Sequence, residues 1–164
     1  MASRVVGPLV VASLCLFFVA PSAQTLAPKP SAIQFVTVAP VGPTEAVAPG
    51  SSVTLSVEVT PKPNIHVYAS GAKGFTPVAL IVSAGDEVRS GKPMYPAGEP
   101  FASPGSDEPL PVYRGPFRIA QPITIAKTAK PGQVLNIAGA LNYESCDDRM
   151  CYPLRSIPIN WTVK

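Results

Sequence analysis

Two cysteines near the end of the chain, Cys146 and Cys151, are the residues best suited to chemistry. Only Asp147, Asp148, Arg149 and Met150 separate them, so their sulfurs can meet across a tight loop. Exchange requires a thiolate to reach a disulfide sulfur in line, which asks for an accessible pair whose reduced form tolerates a second thiol close by. A turn between two strands supplies that reach. A bridge over so short a loop stabilises a fold by only about 2 kcal/mol in the chain-entropy picture, less than one joining distant strands. Spacing alone leaves two readings open, a redox-active pair and a short structural clip.

The neighbouring charges bear on reactivity. Glu144, Asp147 and Asp148 are like charges to a thiolate and are expected to raise its pKa, while Arg149 opposes them. A sluggish thiol follows, one that exchanges with a matched partner rather than with any passing disulfide.

Other candidates are weaker. His66 is the single histidine and sits in an apolar stretch, where a hydrogen-bonded packing role is the ordinary one. Tyr143 and Trp161 read as core or rim residues. Met94 and Met150, joined to Cys146, Cys151 and His66, would make a soft set suited to Cu(I). No Met-rich or His-rich spacing accompanies them, so no metal or cofactor is expected. Neither a carboxylate pair, a Ser–His–Asp set nor a phosphate-binding glycine loop stands out.

The elements that must position the pair are strands. Charged residues make up 14% of the chain, and its 21 prolines suit strands and turns rather than helices. Alternation with a period of two recurs: Ile33 and Phe35; Val53, Leu55, Val57 and Val59; the short Ile65–Tyr68; and the apolar run Pro77–Val82. Strands are expected again at 112–119 and 123–126. Leu135, Ile137, Leu141 and Tyr143 share one face, and Ile157, Ile159, Trp161 and Val163 alternate on the return. Residues 84–110, dense in Gly and Pro, read as a long surface loop. Eight or nine short strands without crossover helices predict an all-β, immunoglobulin-like antiparallel β-sandwich.

The N-terminus has its own signature. Arg4 precedes an apolar run to Ala20, and small residues follow at Ser22 and Ala23. Residues 1–23 are expected to be a signal peptide, 24–32 a flexible leader, and 33–164 the folded domain. Cys15 would leave with the signal, and the remaining two cysteines would enter an oxidising compartment, periplasmic or otherwise exported. The net charge of +3, with scattered basic residues, argues against nucleic acid as a partner.

The stretch Gly132–Pro153, GQVLNIAGALNYESCDDRMCYP, resembles the N-terminal periplasmic domain of the thiol:disulfide interchange protein DsbD. The shared features are an alternating strand ending in an aromatic, an acid-rich turn between the cysteines, and a proline two residues after the second. Asn64–Tyr68 resembles the aromatic strand beside that family's cysteines. The resemblance runs from about Gly50 to Val163 and is most specific in its last thirty residues. It implies a sandwich that relays electrons, in which Cys151 forms mixed disulfides and Cys146 resolves them. By that resemblance His66 and Tyr68 would line the site, with Met94 and Tyr95 near a cap that runs on into the following loop; Asp147, Asp148 and Tyr143, beside the cysteines in sequence, are counted as lining it too. The family's cap is acidic and aromatic, whereas Lys92, Pro93, Met94 and Tyr95 align here. Implied partners are a thioredoxin-like or DsbD-type membrane redox protein acting in trans, and oxidised periplasmic proteins. The alternatives are a binding module with a structural disulfide and a Cu(I) carrier.

Overall fold

The computed structural model of the chain describes residues 34–83, 85–102 and 107–164. The expected signal peptide and leader lie outside these residues. Among them no helix is long and apolar enough to cross a membrane.

Among the described residues ten strands form two sheets: β1 (Val36–Val41), β2 (Ser52–Pro61), β3 (His66–Tyr68), β4 (Ala79–Val82), β5 (Val88–Ser90), β6 (Glu99–Phe101), β7 (Leu110–Tyr113), β8 (Phe117–Ile125), β9 (Leu135–Cys146) and β10 (Cys151–Val163). A four-stranded sheet runs β1-β2-β8-β5, and a six-stranded sheet runs β10-β9-β3-β7-β6, with β4 also paired to β9. All pairings are antiparallel. The expected immunoglobulin-like sandwich is the fold found.

The pleat explains the packing. Leu55, Val57 and Val59 of β2 are fully buried, while Thr54, Glu58 and Thr60 are exposed. Facing them from the other sheet are Leu135, Ile137, Leu141 and Tyr143 of β9 and Ile157, Ile159, Trp161 and Val163 of β10, all in the same core. A polar bond also crosses this interior, from Trp161 Nε1 to the Ser56 carbonyl at 3.0 Å. Burying an indole N–H requires such a partner.

Two expectations need correction. Residues 84–110 are not one loop, because β5 joins the edge of the four-stranded sheet and β6 pairs with β7. Proline is tolerated in β6 because that strand is an edge, where a missing N–H breaks no ladder. The strands expected at 112–119 and 123–126 are instead divided at Arg114-Gly115-Pro116, leaving β8 continuous through Pro122.

Gly139 marks the tightest point of the hairpin formed by β9 and β10. A methyl group there would sit 2.6 Å from the Ile81 carbonyl oxygen and 2.8 Å from the Trp161 ring. Gly139→Ala is expected to destabilise the fold by about 1–3 kcal/mol through overpacking. The measurement is urea unfolding, which should show a lower midpoint with an unchanged slope.

Candidate functional site

The site follows from strand parity. Odd-numbered residues of β9 face the core between the sheets, so Cys146, Glu144 and Asn142 point to the outer face. On β10 the odd-numbered residues Ile157 to Val163 also face the core, and a regular ladder would send Cys151 inward with them. A register shift between Tyr152 and Arg155 prevents this. Ile157 opposes Leu141 on one side of the shift, and Cys151 opposes Cys146 on the other. The extra residue falls at Pro153-Leu154, and a bulge is among the few places a strand accepts proline. The cysteines therefore stand directly opposite each other, Cα atoms 4.0 Å apart and sulfurs bonded.

On that outer face lies a second, smaller apolar cluster of Tyr68, Ala72, Leu110, Val112 and Cys146, with Phe75 and Phe101 packed against it. Its strands are β3, β7 and β9, the middle of the six-stranded sheet. Tyr68 is fully buried. Its hydroxyl lies 3.4 Å from Cys146 Sγ and 3.9 Å from Cys151 Sγ. Phe75 stacks on the Tyr68 ring at 4.1 Å, and Phe101 covers His66 at 4.4 Å. Beneath these rings Cys146 is 2% exposed, whereas Cys151 is open to solvent. One disulfide thus has one shielded and one accessible sulfur.

The turn is held by Asp147. Its Oδ1 accepts the N–H groups of Arg149 and Met150, each at 2.8 Å, and its Oδ2 accepts the Tyr152 hydroxyl at 2.6 Å. The Tyr152 hydrogen bond, followed by those from the two amides, holds the Asp147 carboxyl below its ordinary pKa. The same bond raises the Tyr152 phenol. Tyr152 in turn stacks on Phe35 at 3.9 Å. The charge of Asp147 is therefore engaged in building the hairpin end. Glu144 stands nearer the chemistry, with a carboxylate oxygen within 4.8 Å of both sulfurs. Its Oε2 accepts the Thr76 N–H at 2.9 Å, which ties the segment carrying Phe75 to β9.

A cleft of ≈ 450 Å³ opens beside this cluster, lined by Asn64, His66, Glu99, Phe101, Arg114 and Asp148 among others. Asn64 adopts a φ of 63°, a left-handed turn that asparagine tolerates, and this delivers the chain into β3. Arg114 donates to Glu99 at 2.6 Å and lies over the Phe101 ring at 5.7 Å, so an ion pair fixes the aromatic cover. Hydrogen bonding to Arg114 keeps the Glu99 carboxyl below its usual range.

The predicted site residues divide accordingly. Cys146, Cys151, Tyr68 and His66 come together, with Asp147 in the turn and Asp148 on the cleft. Tyr143 does not join them: three residues from Cys146, it faces the opposite side of β9, where its hydroxyl accepts the Phe35 N–H in the main core. Met94 bridges to Ala120 in the four-stranded sheet, and the Tyr95 hydroxyl accepts the Leu80 N–H against the main core. Met94 and Tyr95 thus lie apart from the cysteines, whereas Phe101, in the segment that follows them, packs with Phe75 against the outer cluster. An acidic residue near an aromatic, Glu99 and Phe101, was the sequence signal available for the first; Phe75 carried none. His66 is buried as expected, yet its Nε2 has no hydrogen-bond partner among the described residues.

The family described as "Thiol:disulfide interchange protein DsbD, N-terminal" matches residues 34–159. Among solved structures the chain is similar to the reduced N-terminal domain of DsbD from Neisseria meningitidis, at 17% identity and a TM-score of 0.46, over 66% of this chain and 75% of that one. It is also similar in fold to the N-terminal periplasmic domain of ScsB from Proteus mirabilis, at 16% identity and a TM-score of 0.51. That likeness covers 78% of this chain but only 46% of the other, so the chain spans under half of that relative. No curated protein matches the chain.

Two outcomes follow from the cover. Phe101→Ala is expected to cost about 1–2 kcal/mol, below the full-burial range because the ring is already partly exposed. In the reduced protein it should speed alkylation of Cys146 and leave Cys151 unaffected, as read by mass spectrometry of the two peptides. Burial, with a smaller contribution from Arg114, holds the His66 pKa below its ordinary 6.5, against Asp148 and Asp147, which raise it. The unfolded chain then binds the proton more readily, so stability is full above about pH 6.5 and falls as the pH drops toward the folded pKa. Unfolding midpoints of His66→Gln should show a shallower decline across that window.

Proposed function

The chain belongs to the family of N-terminal domains of the thiol:disulfide interchange protein DsbD, and from that premise we propose that it relays electrons between a reductant and oxidised proteins outside the cytoplasm. In this reading residues 33–164 form the exchange domain and 1–23 export it. The observation that carries the proposal is the asymmetry of the disulfide, with Cys151 accessible and Cys146 shielded.

The steps follow from that asymmetry. A thiolate of a thioredoxin-like or DsbD-type donor attacks Cys151 Sγ, the Cys146–Cys151 bond breaks, and Cys146 leaves as a thiolate. The Tyr68 hydroxyl, already beside this sulfur, is placed to donate a hydrogen bond to the departing charge. The donor's second thiolate then attacks its own mixed-disulfide sulfur and frees Cys151. In the forward direction the Cys151 thiolate attacks a substrate disulfide and expels one substrate thiolate. Cys146 then attacks Cys151 Sγ, closing the bond and releasing the second. Each cycle moves two electrons, and the two protons given up by the donor thiols are balanced by two taken up from solvent by the substrate thiolates.

A purely structural clip fits less well. The β9–β10 ladder already sets the two residues opposite each other, so the bond adds only the roughly 2 kcal/mol of a short loop. Equilibration with a glutathione buffer should give a reduction potential above about −300 mV, the region below which structural bridges lie. Cys146→Ala should accumulate mixed disulfides through Cys151 in a periplasmic extract, whereas Cys151→Ala should not. A potential well below that figure together with empty traps would reject the relay.

A further inference from the structure

The outer face of the hairpin also gathers a set of metal-ligating atoms. A Glu144 carboxylate oxygen and the sulfurs of Cys146 and Cys151 all lie within 4.8 Å of one another. We propose that the reduced protein holds a Zn²⁺ ion at this triad, through two thiolates and one carboxylate, with the fourth position open to water.

The backbone makes the set. Glu144 and Cys146 are alternate residues on the same face of β9, and the bulge in β10 sets Cys151 directly across from Cys146. The Glu144 side chain is already oriented, since its Oε2 accepts the Thr76 N–H. Outer hydrogen bonds of this kind hold the carboxylate ligands of metal sites in place. Cys146 is shielded and Cys151 open, so an ion can arrive from solvent and meet a partly dry site.

The donor chemistry selects the ion. Cu(I) favours thiolate and thioether, and of the two methionines in the set considered from sequence Met94 lies on the other sheet while Met150 stands exposed in the turn. Two thiolates with a carboxylate suit Zn²⁺, which takes sulfur and oxygen ligands together in tetrahedral sites with one position open.

Oxidation state governs occupancy, and here the inference rests on the reading that the bond opens reversibly. A dithiol reductant delivers two electrons and two protons to the disulfide and is itself oxidised to a disulfide. Zn²⁺ then displaces the thiol protons with no further electron transfer. A bound ion occupies the Cys151 lone pair, so the metal holds the dithiol in reserve against stray oxidants until a partner or chelator removes it.

The test is a Zn²⁺ titration of the phosphine-reduced protein, freed of reductant without oxygen, in competition with a chromophoric chelator. Co²⁺ serves as a spectroscopic stand-in. The expected result is one ion per reduced chain, a thiolate-to-Co²⁺ charge-transfer band, and no uptake by the oxidised protein. Glu144→Gln keeps an acceptor for the Thr76 N–H and should weaken binding by at least about tenfold. Glu45→Gln, at an exposed carboxylate outside the site, should change nothing. Two thiols gained on reduction with no charge-transfer band, or an affinity unchanged in Glu144→Gln, would overturn the metal site and leave the exchange reading standing. Failure to gain two thiols would overturn both.

Discussion

Everything at the site depends on one extra residue in β10. Core residues on both strands of the hairpin are odd-numbered, and so is Cys151, whereas Cys146 is even-numbered. In an unbroken antiparallel ladder of this sequence the two cysteines could not oppose each other, and Cys151 would point between the sheets. The bulge at Pro153-Leu154 changes the parity of the strand once, after the core has been satisfied and before the cysteine is reached. A local irregularity thus reconciles two demands that a regular ladder would set against each other.

The second consequence is a division of the six-stranded sheet into two environments. Its inner face packs against β2 and β8 and is mainly apolar. Its outer face, over β3, β7 and β9, carries a separate small cluster in which Tyr68, Phe75 and Phe101 shield one sulfur. The inequality between the sulfurs therefore arises from layering rather than from charge. The acids near the cysteines, which looked like a uniform negative field, have distinct roles: Asp147 builds the turn, Asp148 borders the cleft, and Glu144 alone is placed against both sulfurs.

Much of this was legible in the chain. Alternation at 53–59, 135–143 and 157–163 named the inner faces, because side-chain period and burial coincide wherever only one face is apolar. The pairing of Cys146 with Cys151 followed from their number and spacing, and the nearness of Tyr68 and His66 from the resemblance. What failed was what parity or distant pairing decides. Tyr143 reads both as a core or rim residue and as one lining the site, and its odd separation from Cys146 decides for the core face. A cap is expected at Met94, Tyr95 and the loop after them, and only the pairing of β6 with β7 reveals that within this stretch it is Phe101 that lies against His66. Phe75 reaches Tyr68 through a loop anchored by Glu144, a long-range contact that no local pattern encodes.

The two faces of β9 also answer to different pressures over evolutionary time. Positions 135, 137, 141 and 143 are interlocked with the opposite sheet, so drift there is paid for in foldedness. Positions 144 and 146, with the aromatic rings near them, lie with the smaller outer cluster rather than in the core between the sheets. Substitutions on the outer face can therefore change the surroundings of the two sulfurs while the same scaffold is kept. A protein engineer has the same freedom.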